Sequence, residues 1–387
     1  MMRGAYTPQV QEAVARLGSR LPYSEAQEEL AMMWGIDISV ASVREITMRA
    51  GRIADHLIEK EMKRLQKEAP TAKAAPKQLL LSVDGAMVQL KNGEWREIKT
   101  VAFGEFETKW DLKRQEVVTR TEKVSYFSSA DKAEQFSDKA IVEWHRRGGE
   151  HAEKVVAVND GAVWIQAFID YHCPTATRVI NFAHAQGYVA MVGKALYGAE
   201  SDRFQQWYPK MSKQLGTKAP QRTLNELRFL WTQNQTHPAA DEMEAAIRYL
   251  ERRQTMIDYP HFRKNGIPIG SGMVESGHKV VMQRRMKQAG MRWAAESLNP
   301  MLALRMAICN QRWSASWQAI QAHYLTTKQA SRLLPKAETP PSQRVTEADV
   351  ENLEKLADKI HRRIQKRQPW QDHRWIFPHR ARPLHKI

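Results

Sequence analysis

The chain has 387 residues and a formal net charge of +16, with 59 Lys and Arg against 43 Asp and Glu. This length allows two or three domains around a large core, and the excess of positive charge favours a polyanionic partner such as nucleic acid over a generally basic, solvated surface. Two cysteines are too few for a disulfide framework or a cysteine-based zinc site. No long apolar run or apolar leader is present, so a cytoplasmic protein without a membrane partner is expected.

The N-terminal region, residues 1–68, has the pattern of helices. Ser24 and Ser42 each stand three residues before a Gln or Glu, the spacing of a capping box, and Gly35 is placed to end the first helix. Two helices joined by a short turn resemble a helix-turn-helix, whose second helix enters the major groove. Its candidate DNA contacts are Arg44, Thr47, Met48 and Arg49. A small bundle used for packing or dimerisation is the alternative.

A Pro/Ala linker over residues 69–77 leads into strand-like runs. The predicted strands are Gln78–Val83, Met87–Leu90, Arg96–Phe103, Val117–Tyr126, Val155–Asn159 and Arg178–Phe182. A hairpin turn is predicted at Lys91–Gly93, and helices are predicted over Ala130–Arg147 and around Ile165. Residues 78–183 should therefore form a mixed α/β sheet with helices packed on it.

Helical patterns return after the last predicted strand. Residues 184–265 are predicted to be a helical segment rich in Lys, Arg, Gln and aromatic residues, and residues 266–325 to be a second helical part. Residues 326–387 form a basic C-terminal tail with a short charged helix over Glu347–Lys366. Its end is predicted to be weakly ordered or to contact DNA.

Three acidic residues stand out by their local setting. Asp84 ends one apolar run, Asp160 ends another, and each is followed by glycine, while Glu275 lies at the start of a predicted helix. An Asp-Gly dipeptide alone is a common turn. Together, however, two strand-end aspartates and a helical glutamate can share a pair of divalent cations for in-line displacement on a phosphodiester. We expect each glycine to leave room beside its carboxylate for metal, water and phosphate.

Basic residues after Glu275 are candidates for contacts with DNA phosphates. They are Lys279, Arg284, Arg285, Lys287 and Arg292, of which Arg285 and Arg292 are predicted to share one helix face. A solvated helix face is the alternative. Trp293 can stack on an unpaired base or pack in the core. His184 can contact phosphate, orient a group in the site, or serve only as a helix-start residue.

Five segments together resemble the DDE transposases of bacterial insertion sequences, in particular the ISKra4 type. They are Ser82–Gly85, Val158–Ile165, Asn181–Ala185, Gly266–Ser276 and Arg285–Trp293. The resemblance extends over most of residues 8–320, and the last two segments are its most specific part. It implies an RNase H-like core in which Asp84, Asp160 and Glu275 are the catalytic residues and bind two Mg²⁺ or Mn²⁺ ions. Residues 184–265 would be an insertion between the second and third acids.

The resemblance also implies a substrate and a setting. A transposase of this class cuts double-stranded DNA at the ends of its element and transfers the freed 3′-hydroxyl to target DNA, as a homodimer in the bacterial cytoplasm, associated with the nucleoid. Asn181 stands where family members often carry an acidic residue, so its role is open. Two other functions stay open: a non-catalytic DNA-binding protein derived from a transposase, and an RNase H-like nuclease acting on RNA or junctions.

Overall fold

The computed structural model describes residues 6–112 and 116–333. Among these residues no helix combines the length and the apolar character that crossing a membrane requires. Most of the predicted basic tail lies outside the described residues, from residue 334 onward, and so does the charged helix predicted over Glu347–Lys366.

Three helices form the N-terminal region: α1 (Pro8–Gly18), α2 (Tyr23–Trp34) and α3 (Val40–Glu68). Gly35 ends α2 in the left-handed conformation, with a φ of 61°, as predicted. The two predicted capping boxes are wrong. Helix α2 begins without a side-chain cap, and α3 is capped by Ser39, whose hydroxyl accepts a hydrogen bond from the Ser42 N–H at 3.2 Å.

Five strands form one open sheet: β1 (Gln78–Gln89), β2 (Trp95–Asp111), β3 (Glu116–Ser129), β4 (Lys154–Asn159) and β5 (Thr177–Ile180). Their order is β3-β2-β1-β4-β5, with β1 to β3 antiparallel and β4 and β5 parallel to β1. Helices α4 (Ala133–Arg146) and α5 (Val163–His172) follow β3 and β4. The predicted mixed α/β class is confirmed, and the sheet is consistent with an RNase H-like fold.

The first strand is longer than the sequence pattern indicated. The two strands predicted on either side of Asp84 are one continuous strand, in which Asp84 pairs with Thr100 of β2. Because β2 pairs with β1 on both sides of the Asp-Gly dipeptide, the dipeptide stays extended instead of turning. The prediction that Asp84 ends a strand is therefore wrong.

The chain after β5 is helical, as predicted. The helices before the Glu275 segment are α6 (Phe182–Tyr197), α7 (Asp202–Thr217), α8 (Pro220–Thr232), α9 (Ala240–Glu251) and α10 (Tyr259–Lys264). A continuous helical run follows, made of α11 (Gly272–Gly277), a π-helix (His278–Gln283) and α12 (Arg284–Met286). The last described helices are α13 (Leu298–Cys309) and α14 (Trp313–Leu333).

The sheet separates two apolar layers. On one face Leu79 and Leu81 of β1 pack with residues of α4, α5 and α13, and on the other Leu80 and Val158 pack with α6 to α9. Side chains alternate between the faces of a strand, so a residue four positions after Leu80 shares its face. Asp84 is that residue, which directs it toward the layer that contains α6 to α9.

The N-terminal helices pack directly on the layer that contains α13. Helix α3 contacts α4 and α13, and Met48 of α3 belongs to the same apolar cluster as β1. The side chains of two buried arginines cap the C-terminal end of α1. Arg285 Nε donates to the Gly18 carbonyl at 3.0 Å, and Arg305 Nη1 donates to the Ser19 carbonyl at 3.2 Å. The N-terminal region is thus joined to the core by apolar and polar contacts.

The close packing of α3 against α13 predicts that an added methyl group destabilises the fold. A Cβ on Gly51 of α3 would come within 2.5 Å of the Pro300 carbonyl oxygen of α13. We predict that Gly51→Ala lowers the free energy of unfolding by about 1–3 kcal/mol, because backbone must shift to admit the methyl group. Urea unfolding followed by circular dichroism measures the change.

Gly187→Ala in α6 is the matched control. Nothing lies within 4 Å of a Cβ built there, so alanine should stabilise the helix by about 0.5–1 kcal/mol. A Gly51→Ala protein as stable as the wild type would contradict the close approach of α3 to α13.

Candidate active site

The register of the parallel strands sets Asp84 beside Asp160. Strand β1 pairs with β4 in parallel, and the last pair of their ladder is Leu81 with Ala157. Continued by three residues, this register places Asp84 opposite Asp160, on neighbouring strands that lie about 4.8 Å apart in a sheet. Asp160 directly follows β4, so the prediction of a strand-end aspartate is correct for this residue.

The same row continues to Asn181. Strands β4 and β5 pair up to Asn159 and Ile180, so Asp160 and Asn181 are the next residues in the register. The Asn181 N–H donates to the Asn159 carbonyl at 2.8 Å, and the Asn181 side chain caps α6. Three polar residues therefore stand side by side across β1, β4 and β5.

Glu275 reaches this row from α11, which contacts β1 and β2. A cleft of about 160 Å³ is lined by the three acidic residues and by Val83, Asn159, Asn181, His184 and Ser271. The structure thus brings together the three acidic residues that the sequence singled out, although more than a hundred residues separate Asp160 from Glu275 in the chain.

Each of the three carboxylates accepts a hydrogen bond from a neutral donor. The donors are the Gly85 N–H to Asp84 at 2.8 Å, the Ala162 N–H to Asp160 at 2.9 Å and the Ser271 hydroxyl to Glu275 at 3.1 Å. Among the described residues no lysine or arginine forms an ion pair with any of the three, and only His278 approaches one of them. The cleft therefore holds negative charge without a fixed cationic partner.

Burial raises the pKa of the Asp84 carboxyl to about 6, and its hydrogen bond from the next backbone N–H partly opposes the shift. The negative charges of Asp160, Glu275 and Glu97 raise this pKa further. The His278 Nδ1 lies 3.6 Å from Asp84 Oδ2, but burial lowers the pKa of this imidazole below 6.5. His278 is therefore neutral near pH 7 and does not compensate the charge of the cleft.

The donor chemistry of the cleft fits a hard divalent cation. Carboxylate oxygens are the ligands that Mg²⁺ and Mn²⁺ prefer, and Mg²⁺ keeps several of its waters, so a few carboxylates suffice. Within the part of the chain that the structure describes, no three His, Cys, Asp or Glu side chains form a ready-made metal cage. Binding would therefore draw the carboxylates together or use bridging water.

Sequence reasoning missed a fourth carboxylate, Glu97, whose charge helps to raise the pKa of Asp84. A Cβ on Gly85 would overlap the Glu97 carboxylate of β2, which forms an ion pair with Lys99 at 2.8 Å. The expectation that Gly85 leaves room for metal or phosphate is wrong, because Glu97 occupies that space. Only the pairing of β1 with β2 reveals this neighbour.

His278, in contrast, could have been found from the sequence, since it lies three residues after Glu275 on one helical run.

Helix α9 and the residues after it hold the loop that carries Asp160. The Tyr249 hydroxyl of α9 donates to the Asp160 carbonyl, and Arg253 Nη2 donates to the Gly161 carbonyl at 2.9 Å. The Arg253 guanidinium lies over the Tyr249 ring at 3.9 Å, and Tyr249 stacks on Tyr188 at 3.9 Å. Tyr249 and Arg253 therefore fix the backbone beside Asp160.

Gly161 is required by this arrangement. Its φ is 77°, which disfavours other residues, and a Cβ would come 2.6 Å from the Tyr249 hydroxyl. The expectation that Gly161 leaves room for metal or phosphate is wrong, because protein atoms fill the space.

Asn181 is linked to Glu275 through Ser271. The Asn181 Nδ2 donates to the Ser271 hydroxyl, which in turn donates to Glu275 Oε1 at 3.1 Å. A carboxylate at position 181 has no such N–H to donate when ionised. The amide thus suits a positioning role for Asn181.

The predicted DNA-contacting residues are exposed, half-buried or buried. The exposed ones are Arg44, Lys279, Arg284, Lys287 and Arg292, and Arg49 and His184 are half-buried. His184 lines the cleft and packs edge-on against Tyr188. Thr47 and Met48 are buried, so α3 does not present them to a DNA groove as predicted.

Arg285 and Trp293 are buried, which corrects the prediction of an exposed helix face. Helix α12 ends at Met286, so Arg292 lies in an irregular segment and does not share a helix face with Arg285. The Trp293 Nε1 donates to the Met286 carbonyl at 3.1 Å, and its ring belongs to the main apolar cluster. The core alternative is correct for this tryptophan.

No family model matches the chain, and no curated protein matches it by sequence either.

The raised pKa of Asp84 predicts a pH-dependent stability in metal-free protein. The folded pKa near 6 exceeds the ordinary value of 3.8, so the folded state binds the proton more tightly. Stability is therefore lost as pH rises from about 4 to above 6. We predict that Asp84→Asn, which cannot ionise, raises the Tm in EDTA at about pH 7.5, and that the gain shrinks toward zero near pH 4.

Differential scanning calorimetry measures this difference across pH. Glu200→Gln is the control, because Glu200 is an exposed carboxylate outside the cleft. An equal shift of the Tm at both pH values would contradict the prediction. It would mean that burial and neighbouring charge do not disfavour the ionised Asp84 carboxylate in the folded protein.

Proposed function

We propose that the protein is a DDE-type DNA transposase that cleaves and joins phosphodiesters with Mg²⁺ or Mn²⁺. One observation carries the proposal: three carboxylates from distant parts of the chain line one cleft without an ion-paired lysine or arginine among the described residues. The chain around them has a net charge of +16. Such a cleft attracts cations, whereas a basic chain attracts DNA, and a phosphodiester reaction needs both.

Asp84, Asp160 and Glu275 are the residues that would hold the metal ions. When bound, a pair of such ions would activate the attacking oxygen and stabilise the leaving oxygen. Asp84 must be ionised to act as a ligand, so metal binding would displace the proton that its raised pKa favours in the metal-free protein. The Asn181–Ser271 pair orients the Glu275 carboxylate through hydrogen bonds, whereas the neutral His278 only lies near the Asp84 carboxylate, at 3.6 Å.

The proposed reaction has two steps of the same kind. In the first, water attacks the phosphorus at the end of the element, the P–O3′ bond breaks, and a 3′-hydroxyl and a 5′-phosphate result. In the second, that 3′-hydroxyl attacks a phosphorus of target DNA, and the target strand's own 3′-oxygen leaves as a hydroxyl. The number of phosphodiester bonds is conserved in the second step, so no high-energy cofactor is needed.

The proposed partner is double-stranded DNA, both as the element's ends and as the target. Holding two ends at once favours a homodimer on DNA. The exposed Lys279, Arg284 and Lys287 lie on or beside the helical run that carries Glu275, where they can contact phosphates next to the cleft.

Alanine variants test the catalytic assignment. We predict that Asp84→Ala, Asp160→Ala and Glu275→Ala each reduce Mg²⁺-dependent nicking of a labelled element-end duplex by more than the roughly 10- to 100-fold typical of residues that only support a metal ligand. DNA binding in EDTA and the folded fraction should be retained. Glu200→Ala is the matched control, since this exposed carboxylate lies outside the cleft.

Other outcomes would favour other functions. Nicking that survives Asp160→Ala would remove Asp160 from the mechanism. Binding without nicking at any Mg²⁺ or Mn²⁺ concentration would favour a non-catalytic DNA-binding protein. Faster cleavage of RNA–DNA hybrids or junctions than of the duplex would favour an RNase H-like nuclease.

A further inference from the structure

A second pocket lies where the N-terminal helices meet the segment after α12. It has a volume of about 260 Å³ and is lined by Pro22, Tyr23, Arg44, Lys91, Arg285, Met291, Arg292, Trp293, Ala294 and Ser297. Helices α2 and α3, the β1–β2 turn and the 285–297 segment all contribute to it. The Lys91 N–H donates to the Trp293 carbonyl at 2.9 Å, which fixes the turn against that segment.

The lining of this pocket is positively charged. Arg44, Lys91, Arg285 and Arg292 line it, and no carboxylate does. Glu25 interacts electrostatically with Arg285, but it is not among the lining residues. Four like charges converging from separate elements repel one another, so an anion between them would be stabilising.

Arg285 forms the buried part of the pocket, with 1% of its surface exposed. Its guanidinium lies over the rings of Tyr23 at 4.8 Å and Trp293 at 5.1 Å, and its Nε donates to the Gly18 carbonyl. Burial lowers the pKa of this guanidinium, and its hydrogen bond with the Tyr23 side chain opposes the shift. Burying a cation is costly, and an oxyanion placed beside it is the partner that stabilises it best.

We propose that this pocket binds a backbone phosphate of the DNA on which the cleft acts, an inference that rests on the proposed function. Arg285 and Glu275 lie on one helical run, Gly272–Met286. Because one helical run carries both residues, the pocket and the cleft are held at a fixed spacing and can contact the same DNA.

A phosphate fits this pocket better than a flipped base. The Arg285 guanidinium lies over both aromatic rings, and the Trp293 Nε1 is already bonded to the Met286 carbonyl. The three other cations, Arg44, Lys91 and Arg292, are exposed and can follow a strand that leaves the pocket.

The test uses the exposed cations, because a variant of the buried Arg285 can fail to fold. The full-length Arg44→Gln, Lys91→Gln, Arg292→Gln triple variant is compared with Lys60→Gln, Lys63→Gln, Lys67→Gln. The control triple removes the same charge from exposed positions of α3. The affinity for a duplex of about 30 base pairs is measured in EDTA over a salt series, so that binding alone is observed.

We expect the pocket triple to bind DNA about tenfold more weakly than the control triple. The slope of log K against log salt should also fall by at least about 1 relative to the control, as expected when a phosphate contact is lost. Equal affinities and equal slopes for the two triples would overturn the proposal. A Tm gain from inorganic phosphate that the pocket triple loses, with no difference in DNA binding, would make this a free-anion site and would also overturn it.

Failure of this proposal and failure of the proposed function give different results. Wild-type nicking with equal salt slopes for the two triples rejects only the phosphate pocket. A lower slope for the pocket triple without any nicking by the wild type supports the pocket and rejects the transposase chemistry.

Discussion

The parallel pairing of β1 with β4 is the interaction on which the candidate site depends. Its register, continued past the last pair of the ladder, sets Asp84 opposite Asp160, and the pairing of β4 with β5 extends the row to Asn181. A register slip of one residue would turn one of these side chains to the opposite face of the sheet. The apolar residues that fix the register, such as Leu80 and Val158, therefore also fix the geometry of the acidic cleft.

The cleft and the basic pocket are complementary in charge. The cleft holds carboxylates without an ion-paired lysine or arginine among the described residues, and the pocket holds arginines and a lysine without a lining carboxylate. A single helical run joins Glu275 of the cleft to Arg285 of the pocket. A cation would stabilise the cleft, and an anion would stabilise the pocket. A metal ion in the cleft and a phosphate in the pocket would therefore both be consistent with the charges along this helical run.

The starts and ends of several helices and strands were predictable from the sequence, whereas the residues that pack beside the acidic cleft were not. The strand before Asp160, the helix start at Glu275 and the end of α2 at Gly35 each follow from short patterns of apolar and turn residues. The continuity of β1 through Asp84 was missed because an Asp-Gly dipeptide signals a turn unless a neighbouring strand holds it extended. Glu97 beside Gly85, and Tyr249 and Arg253 beside Gly161, depend on tertiary packing that no local pattern encodes.

Arg285 shows why the burial of a side chain is harder to predict from sequence than helical structure. The sequence places it in a run of basic residues, which is typical of a solvated or DNA-facing surface. In the structure the run ends with α12, the N-terminal helices cover Arg285, and the end of α1 offers it a carbonyl acceptor. The contact joins positions 18 and 285, so only the assembled fold reveals it.

The most direct test of the account is anomalous diffraction from crystals equilibrated with Mn²⁺ at a pH above 6. Two manganese peaks about 3.5–4 Å apart are expected in the cleft, coordinated by Asp84, Asp160 and Glu275. The absence of manganese from the cleft in protein that binds DNA, or manganese bound only elsewhere, would contradict it.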